Sequence, residues 1–369
     1  MAQITPKNKP EAVYLNWDDG TGRMPNALSR AIAYERDPSL FDEDYIKERD
    51  KELKELQELK KGDTALCIDR RNKPVFLTSY QSRIVHALSY AISKEIETNE
   101  DVRKKIQAPF VAGNKISRYV NVTALTSLIF NSTRERYKET IIKEMFNLAQ
   151  IRHVQILGSG DNMAKITSPL INIGTTVEDL SKEKKNNIDA IEVIFGGAFF
   201  LELSTRYATI TPKLFEVWRK SGRGTELFSI LLDSILSVYW QYRQAANKAE
   251  EKVKLYYKTN KIARGELKEA IAEARREAMA YPLNVATIKQ RVTTNYDSSR
   301  EMKRKFKQDL QNAINGFKEL DLITDGIIQV GAKGQEKVIF ILSETYNFTE
   351  KVDTSQALLG IDENKPSAF

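Results

Sequence analysis

Residues 298–342 read SSREMKRKFKQDLQNAINGFKELDLITDGIIQVGAKGQEKVIFIL, and this stretch decides the fold. Ser298-Ser-Arg-Glu301 has the spacing of a capping box, with Ser298 as N-cap and Glu301 three positions on. A helix then runs to about Leu320. With Arg300 set at 0° and roughly 100° added per residue, Met302, Phe306, Leu310, Ala313, Ile314, Phe317 and Leu320 gather on one side. Arg300, Arg304, Gln308, Gln311 and Asn315 gather on the other, flanked by Lys303 and Lys307. After the helix, Leu322 to Val330 reads as a strand, Gly331-Ala-Lys-Gly334 as a tight turn and Gln335 to Leu342 as a second strand. Just upstream, Pro282 to Val285 reads as a short strand and Ala286 to Val292 as a short helix.

The same grammar occurs earlier. Ser79 to Ile96 is helical, with Ile84, Leu88, Ala91, Ile92 and Ile96 on one stripe. Ile116 to Val122 reads as a strand and Thr123 to Phe130 as a short helix. Ser132-Thr-Arg-Glu135 reads as a capping box opening a helix to about Gln150. Ile151 to Leu157 and Lys165 to Ile173 read as strands around the turn Gly158-Ser-Gly-Asp161. Asn121-Val122 echoes Asn284-Val285, and Ser132-Thr-Arg-Glu135 echoes Ser298-Ser-Arg-Glu301, in the same architectural order. An internal duplication follows. Helix, strand, two helices and a hairpin make a winged helix, a helix-turn-helix with an appended β-hairpin.

The expected fold is therefore mainly α with small β-hairpins (α+β): two tandem winged-helix domains behind an N-terminal helical arm. Residues 1–74 are the arm, with a charged helix over Tyr45 to Lys61; 75–180 the first winged-helix domain; 181–350 the second; and 351–369 a loosely ordered tail. Between the copies, Ile188 to Ile210 reads as two strands joined at Gly196-Gly197. Gly222 to Ala280 reads as a long helical insertion, apolar in its first half and charged in its second.

The polar face of the second long helix is chemically selective. Arg, Gln and Asn bond bidentately to guanine and adenine edges in the major groove, whereas lysines hold phosphates. A merely solvated face mixes in Glu, yet from Lys303 to Asn315 the only acid is Asp309. The candidate DNA contacts are Arg300, Lys303, Arg304, Lys307, Gln308, Gln311 and Asn315, with Lys333 and Lys337 on the wing. In the first copy they are Arg134, Arg136, Thr140, Lys143 and Asn147, on a face bordered by Glu139 and Glu144. That helix is expected to hold DNA more weakly or to face a protein. The other wing is expected at Gly158 to Lys165.

The chain has 369 residues, net charge +7 and a sequence pI of about 9.1. Its first 62 residues carry 11 basic against 13 acidic side chains, so the basic excess lies downstream. That balance favours a polyanionic partner. No run approaches the roughly 20 apolar residues of a membrane span, and the first residues lack the apolar core of a signal peptide. One cysteine, Cys67, excludes an internal disulfide framework. Two isolated histidines, His86 and His153, exclude His-x-His nickases and HExxH proteases; both read as structural. Neither supplies the His-x-x-Arg step of a tyrosine recombinase. GxxxxGK[ST], GxGxxG and GxSxG are all absent. The paired acids Asp18-Asp19 and Asp42-Glu-Asp44 lie in a polar arm without an apolar strand to hold them for metal chemistry. No catalytic residue, metal or cofactor is expected.

Two tandem modules with long recognition helices, the second more basic, resemble the replication initiator (Rep) proteins of theta-replicating plasmids. The resemblance spans residues 75–345. It rests on SYQSRIVHALSYAIS, STRERYKETIIKEMFNL and SREMKRKFKQDLQNAINGFKELDLI with its GAKG hairpin. The first 74 residues and the Gly222 to Ala280 helices depart from the pattern. The resemblance implies binding to repeated origin sequences in double-stranded DNA, opening of adjacent duplex, recruitment of host replication proteins, and repression of the protein's own gene as a homodimer. It implies a bacterial cytoplasmic location with the plasmid or nucleoid, without a membrane. A winged-helix transcriptional regulator would use the same two modules. A DNA-processing enzyme such as a primase, or a basic protein-binding scaffold, accounts for fewer of these features.

Overall fold

In a computed structural model, the described residues are 13–17, 22–25, 64–67, 77–107, 115–159, 162–178, 188–197, 199–200, 203, 206–221, 225–260, 266–292, 294–330, 335–346 and 348–350. They form an α+β fold, mainly helical with small sheets. The expected helix over Tyr45 to Lys61 and the tail after Glu350 lie outside the described residues, as do Asp18-Asp19, Asp42-Glu-Asp44 and Lys333.

The chain opens with β1 (Gly22–Pro25) and β2 (Thr64–Cys67). A first unit follows: α1 (Ser79–Thr98), α2 (Glu100–Gln107), β3 (Ile116–Asn121), α3 (Val122–Phe130) and α4 (Glu135–Ala149). After α4 come β4 (Arg152–Ser159), β5 (Asn162–Pro169), β6 (Asn172–Glu178) and β7 (Ile188–Phe195). A connector holds β8 (Arg206–Ile210) and α5 (Lys213–Lys220). The second unit is α6 (Thr225–Thr259), α7 (Leu267–Ala278), β9 (Ala280–Asn284), α8 (Val285–Arg291), α9 (Arg300–Glu319), β10 (Ile323–Val330) and β11 (Glu336–Leu342), with β12 (Phe348–Glu350) behind it.

The two units match element by element. The first sheet has the order β3-β7-β6 and the second β10-β11-β9, so in both the last strand is central and pairs antiparallel with both neighbours. The echoed asparagines do the same work. Asn121 ends β3 and caps α3, its side chain accepting from Ala124 N; Asn284 ends β9 and caps α8, accepting from Ala286 N. An Asn at N-cap satisfies one of the helix's orphan amides, which is why the letter recurs.

Several local expectations change. The strands expected at Ile151 to Leu157 and Lys165 to Ile173 pair with each other as the expected hairpin, β4 with β5, but the hairpin takes β2 as a third strand, and the second expected strand breaks after Pro169 and resumes as β6. β3 pairs instead with β7, some 70 residues on. β6 and β7, and not the β4–β5 hairpin around Gly158 to Lys165, therefore pair as β10 and β11 do; residues 179–187 between them lie outside the described residues. Gly196-Gly197 does not join two strands: Gly197, at φ 54°, turns the chain from β7 into a helical segment at Phe199 and Phe200. In element order, α6 and α7 precede β9 as α1 and α2 precede β3. Ser132 does not cap α4, whose N-cap is Arg134 without a side-chain bond. Ser299, not Ser298, caps α9, its Oγ accepting from Met302 N at 3.1 Å.

One continuous core joins the units, with α1 packed on α6. A relay of rings runs from α5 to β11: Phe215, Trp218, Phe228, Phe317 and Phe340, at successive centroid distances of 6.4, 5.9, 4.6 and 6.2 Å. Each large side chain buried here contributes about 1.5–3 kcal/mol. Gly316 lets α9 approach closely; a Cβ there would lie 2.8 Å from Val217 and 2.9 Å from Phe228. Strand β8 pairs with both β1 and β12, tying the two chain ends to the connector.

Candidate nucleic-acid interface

Helix α9 is seated by its apolar stripe. Phe306, Leu310, Ala313, Ile314 and Phe317 are buried, so the opposite face is held outward without freedom to roll. Arg300, Lys303, Arg304, Lys307, Gln308, Gln311 and Asn315 are all exposed on it. Asn312, outside the sequence-derived set, is exposed beside them; its place on the helical wheel was the available signal.

The acid of this helix is removed from the surface. Asp309 is buried, accepting hydrogen bonds from Tyr296 Oη at 2.9 Å and from Lys305 Nζ. From Lys303 to Asn315 the exposed face thus carries only basic and amide side chains. Tyr296 is buried in the α8–α9 connector, and burial, reinforced by the Asp309 carboxylate, pushes its phenol up from the ordinary value. The Tyr296–Asp309 bond ties the helix to its connector. Lys289 Nζ of α8, bonded to Asp297 at 2.8 Å, ties the same connector to the preceding helix.

The neighbouring hairpin brings charge to one end of this face. Lys337 is exposed on β11, opposite Gln329 and Asn284. Lys307 lies 4.0 Å from Glu336, a partly exposed pair worth at most about 1 kcal/mol. Gln311 Nε2 donates to Asn315 Oδ1 at 3.1 Å, which orients the two exposed amides relative to each other.

The first unit's helix differs. Arg134, Arg136 and Lys143 are exposed, but Thr140 and Asn147 are half-buried. Thr140 Oγ1 donates to the Arg136 carbonyl, and Asn147 Nδ2 donates to Glu144, which also accepts from Gln81. Arg136 lies over Tyr137, which stacks on Phe130 at 4.5 Å. Glu139 and Phe146 are exposed on the same surface, so this face is neither purely basic nor purely polar.

His86 and His153 are both fully buried. Desolvation lowers the His153 imidazole to about 3, so it is neutral at physiological pH. Among the described residues no group of three or more His, Cys, Asp or Glu is placed to hold a metal, and no helix is long and apolar enough to cross a membrane.

Compared with protein-family models and with curated proteins, the chain matches none. Among solved structures it is similar to the crystal structure of selenomethionine derivatives of domains 2 and 3 of RctB. The identity is 11 %, the TM-score 0.27, and the match covers 73 % of this chain and 84 % of that one. At that TM-score the likeness carries no argument about fold or chemistry.

Proposed function

We propose that this chain is a sequence-specific double-stranded DNA-binding protein built from two tandem winged-helix units, and that it initiates replication at repeated origin sequences. The observation that carries the DNA reading is the exposed face of α9, acid-free from Lys303 to Asn315, with Asp309 turned into the core. Arg304, Gln308, Gln311 and Asn315 read base edges in the major groove, and Arg300, Lys303 and Lys307 hold phosphates. Lys337 acts on the wing, and Lys333, which lies outside the described residues, joins it by the sequence reading alone. In the first unit, Arg134, Arg136 and Lys143 add phosphate contacts; Thr140 and Asn147, already bonded within the protein, contribute least.

The initiator role follows from the resemblance of the paired units to plasmid initiators. In that reading the chain works by binding alone, without catalytic residue, metal or cofactor. It meets host replication proteins and a second copy of itself in the bacterial cytoplasm. The test is a protection footprint on the DNA flanking the protein's own gene. Protection of a repeated sequence is the expected result. Uniform protection without preferred positions would refute the sequence-specific reading.

A further inference from the structure

The second unit contains more helix than its core uses. The last fully buried residue of α6 is Ala246, yet the helix continues to Thr259. Those 13 residues extend roughly 20 Å at 1.5 Å per residue. Helix α7 packs back along them and has no buried residue of its own. A two-helix arm of this kind adds little to the core, so its shape calls for another explanation.

The arm is stiffened at its root. Arg275 of α7 bonds Glu250 and Asn247 of α6 and Glu344 beyond β11. Beyond that clamp the composition changes. From Lys252 to Asn260 there are three lysines and no acid. Lys252 and Lys258 are exposed, and Lys254 pairs with Glu250. Leu255 is 65 % and Tyr256 59 % exposed. Glu251 directly precedes the stretch, and Glu266 and Glu269 stand on either side of Lys268 at the start of α7. Lysines interleaved with an exposed aromatic and an aliphatic side chain suit a phosphate backbone and the sugars behind it. Through β9, the arm enters the sheet at the Ala280–Ile341 end, away from the β10–β11 turn.

We propose that the α6–α7 arm is a second duplex-DNA contact, in which Lys252 and Lys258 bind backbone phosphates of DNA flanking the site read by α9, on the side away from the wing. Tyr256 and Leu255 cover the adjoining sugars. The proposal rests on the DNA reading above and extends it: the arm adds affinity and length of contact, and no base preference.

The test uses the full chain and a duplex selected from a random-sequence library, made as a short form and as a form with 20 extra base pairs on each side. Wild type should bind the long form more tightly. Lys252→Ala/Lys258→Ala should lose that gain, with the slope of log K against log salt shallower by about 2, at roughly 0.9 per phosphate contact. Its selected sequence should be unchanged, and Lys252→Arg/Lys258→Arg should behave as wild type. An unchanged slope and flank gain in the alanine variant, with wild type still selecting a sequence, overturns the arm alone. Wild type that binds no duplex overturns the arm and the DNA reading together. Loss of binding to phosphatidylglycerol vesicles with DNA binding intact overturns the arm proposal in favour of a membrane contact.

Discussion

His86 Nε2 lies 2.7 Å from Asp233 Oδ1, both side chains buried, where α1 of the first unit meets α6 of the second. Ser82 Oγ donates to the other carboxylate oxygen at 3.0 Å. This polar knot sits in the otherwise apolar seam between the two repeats. Apolar side chains tolerate sliding, whereas a bonded carboxylate fixes one register. Removing His86 leaves the buried Asp233 carboxylate with one hydrogen-bond partner fewer, a change that costs about 1–3 kcal/mol. His86→Ala should lower stability by that order in denaturant titrations, while His86→Leu/Asp233→Leu should lose much less. Equal losses would mean that the seam responds to volume and not to charge.

Acid should destabilise the fold through His153. Its folded value, about 3, lies below the ordinary imidazole value of 6.5, so its stabilisation is complete above about pH 6.5 and is lost as pH falls toward 3. Across that window His153 alone contributes a slope of up to about 1.4 kcal/mol per pH unit. Between pH 7 and 4 the unfolding free energy of wild type should fall more steeply with pH than that of His153→Phe. Parallel curves would exclude His153 as an acid-sensitive group.

Asp309 orients α9 from beneath. Asp309→Ala removes the partner of the buried Tyr296 hydroxyl and should cost about 1–3 kcal/mol. Tyr296→Phe/Asp309→Leu should recover part of it. DNA affinity of the single variant should fall with stability, although Asp309 is turned into the core and not onto the exposed face. A stable variant with normal affinity would remove the positioning role.

Much of α9 was legible because a helix's seating is written in its own period: apolar residues at 306, 310, 313, 314 and 317 are buried, and the polar set is exposed. Strand partners were not legible. IRHVQIL reads as a strand, but β3's choice of Ile188–Phe195 over β4 depends on residues some 70 positions away. Adjacent serines at 298 and 299 both fit a cap, and only backbone geometry selects Ser299. Thr140 and Asn147 fell on the expected helical face, yet half-burial and local bonds occupy them, which periodicity cannot register. The charged half of α6 read as an insertion because the sequence shows where apolar residues stop, not that the helix continues as an arm.

Binding should be independent of metal and free of strand chemistry. Cleavage or polymerisation needs a positioned nucleophile or metals held by carboxylates. Full affinity for duplex in EDTA is expected, with no nicking, priming or ATP hydrolysis on supercoiled plasmid with magnesium or manganese. Nicking lost on changing Asp18 or Asp42 would move the function to the N-terminal arm.

Base reading and phosphate binding on α9 fall to different residues, and one selection experiment separates them. Selection from a random-sequence duplex library, run in parallel for wild type and single variants, should return one consensus for wild type. Arg304→Ala and Gln308→Ala should each relax it at one or two positions, costing about 1–3 kcal/mol of discrimination. Lys303→Ala and Lys307→Ala should weaken all sequences alike and leave the consensus intact. Identical behaviour of the two pairs, or no consensus from wild type, would contradict base reading by this helix.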